Sequence, residues 1–248
     1  MSNADVVFSR LASRYDELWT RTTIGRLQRE AVWRRVDPLF QPGDSVLDLG
    51  CGTGEDAIHF MNSGIRVRAI DASCGMVRIA RSRGVDASEL RIEELELLEG
   101  SYDGVISNFG ALNCVEKLDA IRTPLARLVR PGGHLAVCMI GAFCLWETAW
   151  YLLHAQPGKA FRRLNQGGAV SSLRVRVYYP SISRISGALL PDFELVRWYG
   201  VGIFVPPSYV NGLPERLLTS FANIDRYIAD LPPWRVLGDH RLLIFARK

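Results

Sequence analysis

The spacing of apolar residues changes about forty positions into the chain. Before that point it is mostly helical, with one set at Val7, Leu11, Tyr15 and Leu18 and a second at Leu27, Ala31, Val32, Val36 and Leu39. This spacing predicts two N-terminal helices, which Pro42-Gly43 ends. From residue 45 on, short strand-like runs (45–49, 67–70, 102–107, 134–139) alternate with helical spacing (55–63, 75–83, 120–128). Such alternation predicts an α/β fold with a parallel sheet, whose ligands bind beyond the carboxyl ends of the strands.

The alternation stops after residue 140. Residues 143–154 are aromatic-rich with helical spacing, 157–165 are basic, 166–168 form a Gln-Gly-Gly turn, and 173–179 alternate like a strand. A helix (181–190), a strand (193–199), a loop at Pro206-Pro207, a helix (213–229) and a last strand (240–246) follow. No repeat or low-complexity linker divides the chain. We therefore expect one domain, with N-terminal helices at 1–42, a ligand-binding core at 43–140, an insertion at 141–207 that caps the sheet, and a terminal helix and strand at 208–248.

The first predicted strand runs directly into a glycine-rich turn. Residues 46–54 read Val-Leu-Asp-Leu-Gly-Cys-Gly-Thr-Gly, and a helix follows. Glycines let the backbone approach a ligand without a Cβ clash, and a helix N-terminus directs its N–H groups at that ligand. The next strand ends at Asp71, whose carboxylate can accept hydrogen bonds from a ribose diol. Together these features predict a site for a nucleotide-like ligand.

NAD and S-adenosylmethionine both use such a turn followed by an acid. Here the last glycine spacing is G-x-G, and Asp48 lies two residues before the first glycine. A carboxylate at that point is unfavourable beside a pyrophosphate and acceptable beside a sulfonium and an ammonium. The charges therefore favour S-adenosylmethionine, and an NAD-dependent reductase is the other enzyme class to be tested.

Four segments carry a family resemblance. They are the turn at 46–54, Ile70-Asp71-Ala72-Ser73 with Met76, Tyr-Asp-Gly-Val-Ile-Ser at 102–107, and Arg-Pro-Gly-Gly at 130–133. In this order they resemble the motifs of class I S-adenosylmethionine-dependent methyltransferases, in the branch that acts on small molecules such as quinones. The resemblance implies a Rossmann-like fold with a seven-stranded, mostly parallel sheet, an antiparallel last strand and a helical cap insertion. It also implies S-adenosyl-L-methionine as cofactor and a methyltransferase activity.

The resemblance also implies roles for individual residues. Gly50, Cys51 and Gly52 with Asp48 would face the methionine part, Asp71 the ribose, and Ala72 and Met76 the adenine. Arg91 stands where relatives often have an acid for the adenine amino group, so we assign that contact to the Ile92 backbone and Glu93. Further cofactor contacts are expected from Tyr15, Ser107, Asn108 and Phe109.

Methyl transfer needs alignment more than a catalytic group, and alignment alone can supply about 7–11 kcal/mol. A base is required only for a protonated acceptor, and His154 and His240 are candidates by position. The insertion combines aromatic and basic residues, which predicts an apolar pocket with a basic rim for a hydrophobic or aromatic acidic small molecule. The expected substrate contacts are Trp146, Trp150, Arg174, Arg176 and Tyr178.

The absence of certain motifs argues against several other methyl-transfer reactions. The strand-like run at 102–107 continues as Ser-Asn-Phe-Gly, which differs from the motif of DNA amino-methylating enzymes, and no cysteine has a setting suited to attack on a pyrimidine carbon. No cluster of residues has the spacing of metal ligands. We therefore expect no DNA partner and no metal. Two alternatives stay open: an RNA methyltransferase, which we rank second to a small-molecule enzyme, and a non-catalytic S-adenosylmethionine-binding protein.

Composition sets the remaining expectations. The chain has 248 residues, 48% of them apolar, and a formal net charge of +4 that is too small to indicate nucleic-acid binding by itself. Its five cysteines include no CxxC pair, and its first residues lack the pattern of a signal peptide. The apolar stretch 135–153 is interrupted by Gly141 and Glu147 and is too short for a membrane span. We expect a cytoplasmic protein with free thiols and no transmembrane segment; no pattern indicates its oligomeric state.

Overall fold

The structure is a computed structural model that describes residues 3–165, 167–171, 173–210 and 212–248. Its main sheet is built from seven strands. They are β1 (Ser45–Leu49), β2 (Arg66–Asp71), β3 (Asp86–Glu89), β4 (Tyr102–Ser107), β5 (Val129–Ile140), β8 (Phe193–Val201) and β9 (His240–Arg247). A separate two-stranded sheet pairs β6 (Ala169–Val170) with β7 (Arg176–Val177).

The main sheet has the strand order β3-β2-β1-β4-β5-β9-β8. The first five strands are parallel, and β9 runs antiparallel to both β5 and β8. The predicted seven-stranded, mostly parallel sheet with an antiparallel last strand is therefore confirmed. Because strand order reverses between β1 and β4, a crevice opens there at the carboxyl ends of the strands.

Helices cover both faces of this sheet. They are α1 (Asn3–Tyr15), α2 (Thr23–Val36), α3 (Glu55–Asn62), α4 (Cys74–Ser82), α5 (Arg122–Leu128), α6 (Leu145–Leu153), α7 (Pro157–Ala160), α8 (Ile182–Leu189) and α9 (Glu215–Ile228). Strand β1 is buried on both faces, with Val46 in one apolar layer and Leu47 and Leu49 in the other. A central strand of this kind reads as a continuous apolar run, which is why the sequence located it.

Several elements differ from the sequence prediction. β3 was not recognised because it has four residues and only Ala87 is buried. The strand expected at 173–179 is reduced to β7, and Gln166 of the expected turn lies outside the described residues. Leu18 is 52% exposed because a π-helix (Asp16–Thr20) follows α1 and its wider turn breaks the helical spacing.

The insertion at 141–207 was predicted too wide. Helix α8 and strand β8 belong to the main fold, since β8 is the outer strand of the sheet. The described residues of 141–180, which precede α8, contribute no strand to the main sheet, and we call them the outer segment. This segment contains α6, α7, a 3₁₀ turn (Arg162–Leu164) and the β6–β7 hairpin, so it is helical only in its first half.

The apolar stretch at 135–153 divides into strand β5 and helix α6, as its interruptions indicated. Within the described ranges, the structure holds no helix with the length and apolar character needed to cross a bilayer.

Candidate active site

A cavity of about 440 Å³ lies at the crevice beside β1, β2 and β4. Helix α1 covers one end of it, and the β6–β7 hairpin covers the other. Its lining includes ten of the thirteen residues predicted to bind a cofactor: Tyr15, Gly50, Gly52, Asp71, Ala72, Met76, Ile92, Glu93, Asn108 and Phe109.

The glycine turn forms the floor of the cavity. Gly50 and Gly52 have φ angles of +75° and +54°, a region that favours glycine. A Cβ on Gly50 would stand 2.2 Å from the Ala111 side chain, so the turn can approach that segment only without one. A Cβ on Gly52 would meet nothing within 4 Å and would project into open space. The turn therefore leaves room above Gly52 for a ligand.

Asp71 is held in a fixed orientation at the end of β2. Its Oδ2 accepts a hydrogen bond from the Gly52 N–H at 2.9 Å, and its Oδ1 accepts one from the Ser73 N–H at 2.8 Å. Ser73, rather than Asp71, caps α4 by accepting from the Met76 N–H. Burial raises the pKa of Asp71, and these two backbone donors oppose that rise. The carboxylate keeps lone pairs for hydroxyl donors in the cavity.

Asp48 lies beneath the turn and does not line the cavity. Its side chain is buried, and its Oδ2 has no hydrogen-bond partner among the described residues. Burial, followed by the charge of Asp56, raises its pKa well above the ordinary value. A buried carboxylate oxygen without a donor is costly, so a cationic group above Gly50 would stabilise it.

Arg29 was not predicted from the sequence, and it lies near Asp48 behind the glycine turn. It forms an ion pair with Asp56, and its guanidinium carbon lies 4.9 Å from the centroid of the Phe109 ring. Its Nε has no hydrogen-bond partner in the described part of the chain. Phe109 itself has a φ of +52°, which is uncommon for a residue with a side chain. This ion pair places the Asp56 carboxylate and the Arg29 guanidinium side by side behind the turn.

The end of the cavity that helix α1 covers contains an ion pair that the sequence did not indicate. Arg91 Nη1 lies 2.7 Å from Asp5 Oδ2, and Arg91 Nη2 lies 3.5 Å from Glu93 Oε1. Asp5 and Phe8 line the cavity together with Tyr15. Phe8 is three residues after Asp5, and Tyr15 is seven residues after Phe8, so helical spacing would have placed all three on one face of α1. Arg91 thus brings the α1 carboxylate to this end of the cavity.

Three predicted cofactor residues do not reach the cavity. Asp48 lies beneath the turn. Cys51 is buried, and burial raises the pKa of its thiol, so it is neutral. The Ser107 hydroxyl donates to the Leu49 carbonyl at 2.9 Å and ties β4 to β1. These side chains support the turn from below.

The hairpin end of the cavity is mainly apolar. Of the predicted substrate residues, Arg176 and Tyr178 line it, whereas Trp146, Trp150 and Arg174 do not. The Trp146 indole N–H donates to the Phe204 carbonyl at 2.9 Å, and the Trp150 ring contacts the His154 ring at a tilt of 33°, with 4.4 Å between their centroids. Their aromatic faces are used within the fold instead. The apolar lining comes from Ala111, Val115, Ile140, Leu173, Val175 and Val177.

Neither histidine candidate lines the cavity. His154 is exposed, and its Nδ1 lies 2.7 Å from the Trp150 carbonyl oxygen. His240 is buried behind Phe109, with 5.3 Å between the two rings. Burial lowers the pKa of His240, although the adjacent Asp239 opposes that shift. Neither therefore lies where it would contact an acceptor bound in this cavity.

Asn113 was also missed. Its buried side chain donates to the carbonyls of Ile140 and Tyr178 and accepts from the Ile140 N–H. It joins the hairpin to the end of β5. A single asparagine in a short 3₁₀ turn (Leu112–Cys114) gives no sequence signal for such a role.

The doubly wound sheet, the glycine turn and the oriented Asp71 define a Rossmann-like protein with a nucleotide-type cofactor site at its switch point. A family model described as "Methyltransferase domain" matches residues 46–133. The demethylmenaquinone methyltransferase of Mycolicibacterium vanbaalenii is 32% identical over 161 residues, which are 62% of this chain and 69% of that protein. That of Corynebacterium kroppenstedtii is 34% identical over 61% of this chain and 67% of its own.

A solved S-adenosylmethionine-dependent methyltransferase from Mesorhizobium loti superimposes with a TM-score of 0.59 at 20% identity, over 90% of this chain and all of that one, which supports the fold. The chain belongs to the class I S-adenosylmethionine-dependent methyltransferases, in the quinone-type branch. It is a methyltransferase enzyme, and S-adenosyl-L-methionine is its cofactor. The unpartnered Asp48 oxygen and the open space above Gly52 fit a ligand that carries an ammonium and a sulfonium. The relatives described here do not support the RNA alternative or the non-catalytic one, and we do not propose them.

Proposed function

We propose that the protein methylates an apolar, ring-containing acceptor of the quinone type in its reduced form. The observation that carries this proposal is the hairpin end of the cavity, where six aliphatic residues surround only a few polar groups. Relatives that share about a third of their aligned residues with this chain are named as demethylmenaquinone methyltransferases, which supports the same class of acceptor.

The cofactor would lie along the rest of the cavity. Asp71 would accept hydrogen bonds from the ribose hydroxyls, and Met76 and Ile92 would enclose the adenine. Asp48 and Arg29 do not line the cavity, so they would act through the turn: the Asp48 carboxyl would attract the ammonium of the methionine part, and the Arg29 guanidinium would attract its carboxylate.

When bound, S-adenosylmethionine supplies a methyl group on a positively charged sulfur, which leaves with the bonding electron pair. The chain's own contribution is to align the acceptor and exclude water. Arg176 and Tyr178 would orient the acceptor's oxygen atoms, and the aliphatic residues would hold its ring. An acidic group on the acceptor would be placed at Arg176.

None of the described side chains that line the hairpin end is a ready base. Burial raises the pKa of Cys114 to about 11, and the pKa of Tyr178 is also raised, so both are neutral near pH 7. The acceptor must therefore supply its own electron density, as a hydroquinone ring does. The new bond would form to a ring carbon or an ionised oxygen, and a proton displaced from carbon would leave to water.

The test is methyl transfer from labelled S-adenosylmethionine to a naphthohydroquinone without a side chain, measured as labelled product and S-adenosylhomocysteine. We expect turnover with this acceptor and at least about tenfold less with polar acceptors of similar size, because each methylene in an apolar pocket is worth about 1–3 kcal/mol. Turnover with polar acceptors alone would contradict the proposal. Val175→Asp should abolish the preference, whereas the exposed Val196→Asp should retain it.

A further inference from the structure

The distribution of charge over the chain is uneven. The outer segment contains five basic residues and one acidic residue, so it carries the whole net charge of +4 and the remainder of the chain is balanced. The acidic residue is Glu147, which is 1% exposed and receives hydrogen bonds from Arg162 and Arg163. Lys159, Arg174 and Arg176 are exposed. The segment's own exposed charges are therefore cationic, and Glu116, which accepts a hydrogen bond from the Tyr178 hydroxyl, is an exposed acid beside it.

The same segment exposes an unusual number of aliphatic side chains. Leu153 is 85% exposed and Leu164 is 60% exposed. Exposed apolar residues that cluster in this way indicate a contact surface. In the described residues of the segment, the exposed large apolar side chains are Leu145, Leu152, Leu153, Phe161, Leu164, Val170 and Leu173.

The exposed apolar residues lie on elements that contact one another. The Thr148 hydroxyl donates to the Ala160 carbonyl at 3.4 Å, which joins α6 to α7. The Arg163 guanidinium lies 5.8 Å from the Tyr179 ring, which joins the 3₁₀ turn to the residues after β7. Buried Arg163 also binds Glu147 and Asp239, so the whole segment is fixed to the end of the sheet.

The cavity ends beneath this surface. Leu173 and Arg176 line the cavity and are themselves exposed. An apolar acceptor that lay against the outer segment would thus reach the hairpin end of the cavity directly. The route avoids transfer of the acceptor through water, which costs about 25 cal/mol for each Å² of apolar surface.

We propose that the outer segment docks on an anionic phospholipid surface, from which the enzyme draws its acceptor. Aliphatic side chains would enter the boundary between headgroups and acyl chains, and the cations would attract the lipid phosphates. RNA is the less favourable partner, because single-stranded RNA stacks its bases on exposed aromatic rings. Here Trp146, Trp150 and Tyr179 are half-buried, and the exposed residues are mainly leucines. The inference rests on the proposed function for the acceptor that the lipid would supply.

The test is flotation of the full chain with vesicles of phosphatidylcholine alone, or of phosphatidylcholine and phosphatidylglycerol in equal parts. We expect binding to the anionic vesicles, weakened by salt, and weak binding to the neutral ones. The double variant Leu153→Glu, Leu164→Glu should lower the vesicle partition coefficient at least about tenfold, because each leucine loses its apolar contact. Leu97→Glu is the matched control, since Leu97 is 67% exposed but lies outside the outer segment, and it should bind like the unchanged chain.

Methyl transfer to the naphthohydroquinone without a side chain separates this inference from the proposed function. The double variant should retain that activity within about twofold, because neither leucine lines the cavity. Failure of the unchanged chain to bind anionic vesicles would overturn the docking inference even if it methylates the soluble acceptor. Binding of an RNA oligonucleotide instead, or dimerisation that the double variant abolishes, would overturn it as well. Vesicle binding without quinol methylation would leave the docking surface standing and contradict the proposed function.

Discussion

Asn113 and Tyr178 form a reciprocal pair of hydrogen bonds that fixes the hairpin over the cavity. The Asn113 side-chain amide donates to the Tyr178 carbonyl at 2.7 Å, and the Tyr178 N–H donates to the Asn113 carbonyl at 2.8 Å. Asn113 also accepts from the Ile140 N–H at 2.8 Å. One buried asparagine therefore sets the distance between the glycine-turn side of the cavity and its hairpin side.

Asn113→Ala should weaken acceptor binding and leave cofactor binding nearly unchanged. The substitution removes three hydrogen bonds between the Asn113 side chain and part-buried backbone groups of Ile140 and Tyr178, each of which contributes about 0.5–1.5 kcal/mol. We expect the acceptor KM to rise roughly tenfold or more, measured beside the cofactor Kd by calorimetry. The exposed Asn223→Ala on α9 is the control. Equal losses in KM and cofactor Kd would show that Asn113 does not act through the hairpin.

Asp71→Asn should raise the cofactor Kd by about ten- to a hundredfold. Hydrogen bonds to a charged acceptor contribute about 1.5–3 kcal/mol, and the amide keeps only one accepting oxygen. Asp86→Asn, at an exposed ion pair with Arg68 on β3, is the matched control and should leave Kd unchanged. A Kd for Asp71→Asn equal to that of the unchanged chain would remove Asp71 from the cofactor site.

Cofactor affinity should also depend on the ionisation of Asp71. Burial raises the pKa of this carboxyl in the free protein, and ribose donors favour its ionised form. Affinity should therefore increase with pH through that raised pKa and then level off. In Asp71→Asn this rise should be absent. An identical pH profile in both proteins would assign the titration to another group.

Gly52→Ala should block the cofactor site without unfolding the chain. The added Cβ points into open cavity space, and φ of +54° adds roughly 1–2 kcal/mol of backbone strain. Gly43→Ala has comparable strain at φ of +93° with nothing within 4 Å, but lies in the turn before β1. We expect similar losses of unfolding free energy in both variants and a large rise in cofactor Kd only for Gly52→Ala. Equal cofactor binding by the two would contradict the assignment.

His240 should make the protein sensitive to mild acid. Burial lowers its pKa below the ordinary 6.5, so the unfolded chain takes up the proton first as pH falls. The free energy of unfolding should then decrease from pH 6.5 downward until the folded histidine is protonated. Asp239 does not contribute in this window, because its pKa is held below 3.8. Denaturant titrations should show this slope reduced in His240→Gln; an unchanged slope would exclude His240 as its source.

Ten of the thirteen residues predicted for the cofactor line the cavity, but only two of the five predicted for the acceptor do, and this difference has physical reasons. The glycine turn and Asp71 are local features, since one strand end determines where each lies. The hairpin end depends on which side of the outer segment faces inward. The sequence around Trp146 and Trp150 is amphipathic and fits either orientation of these rings. The hydrogen bond from Trp146 to Phe204 and the ring contact of Trp150 with His154 determine the orientation. Arg29 and Asn113 reach the site through tertiary contacts that no spacing records.

The most direct test of the account is a crystal structure of the full chain with S-adenosylhomocysteine. We expect the ribose hydroxyls on Asp71, the sulfur above Gly50 and Asn108, and the side of the sulfur that would carry the methyl group turned toward Val175 and Tyr178. A ligand bound away from Asp71, or a sulfur turned away from the hairpin, would contradict it.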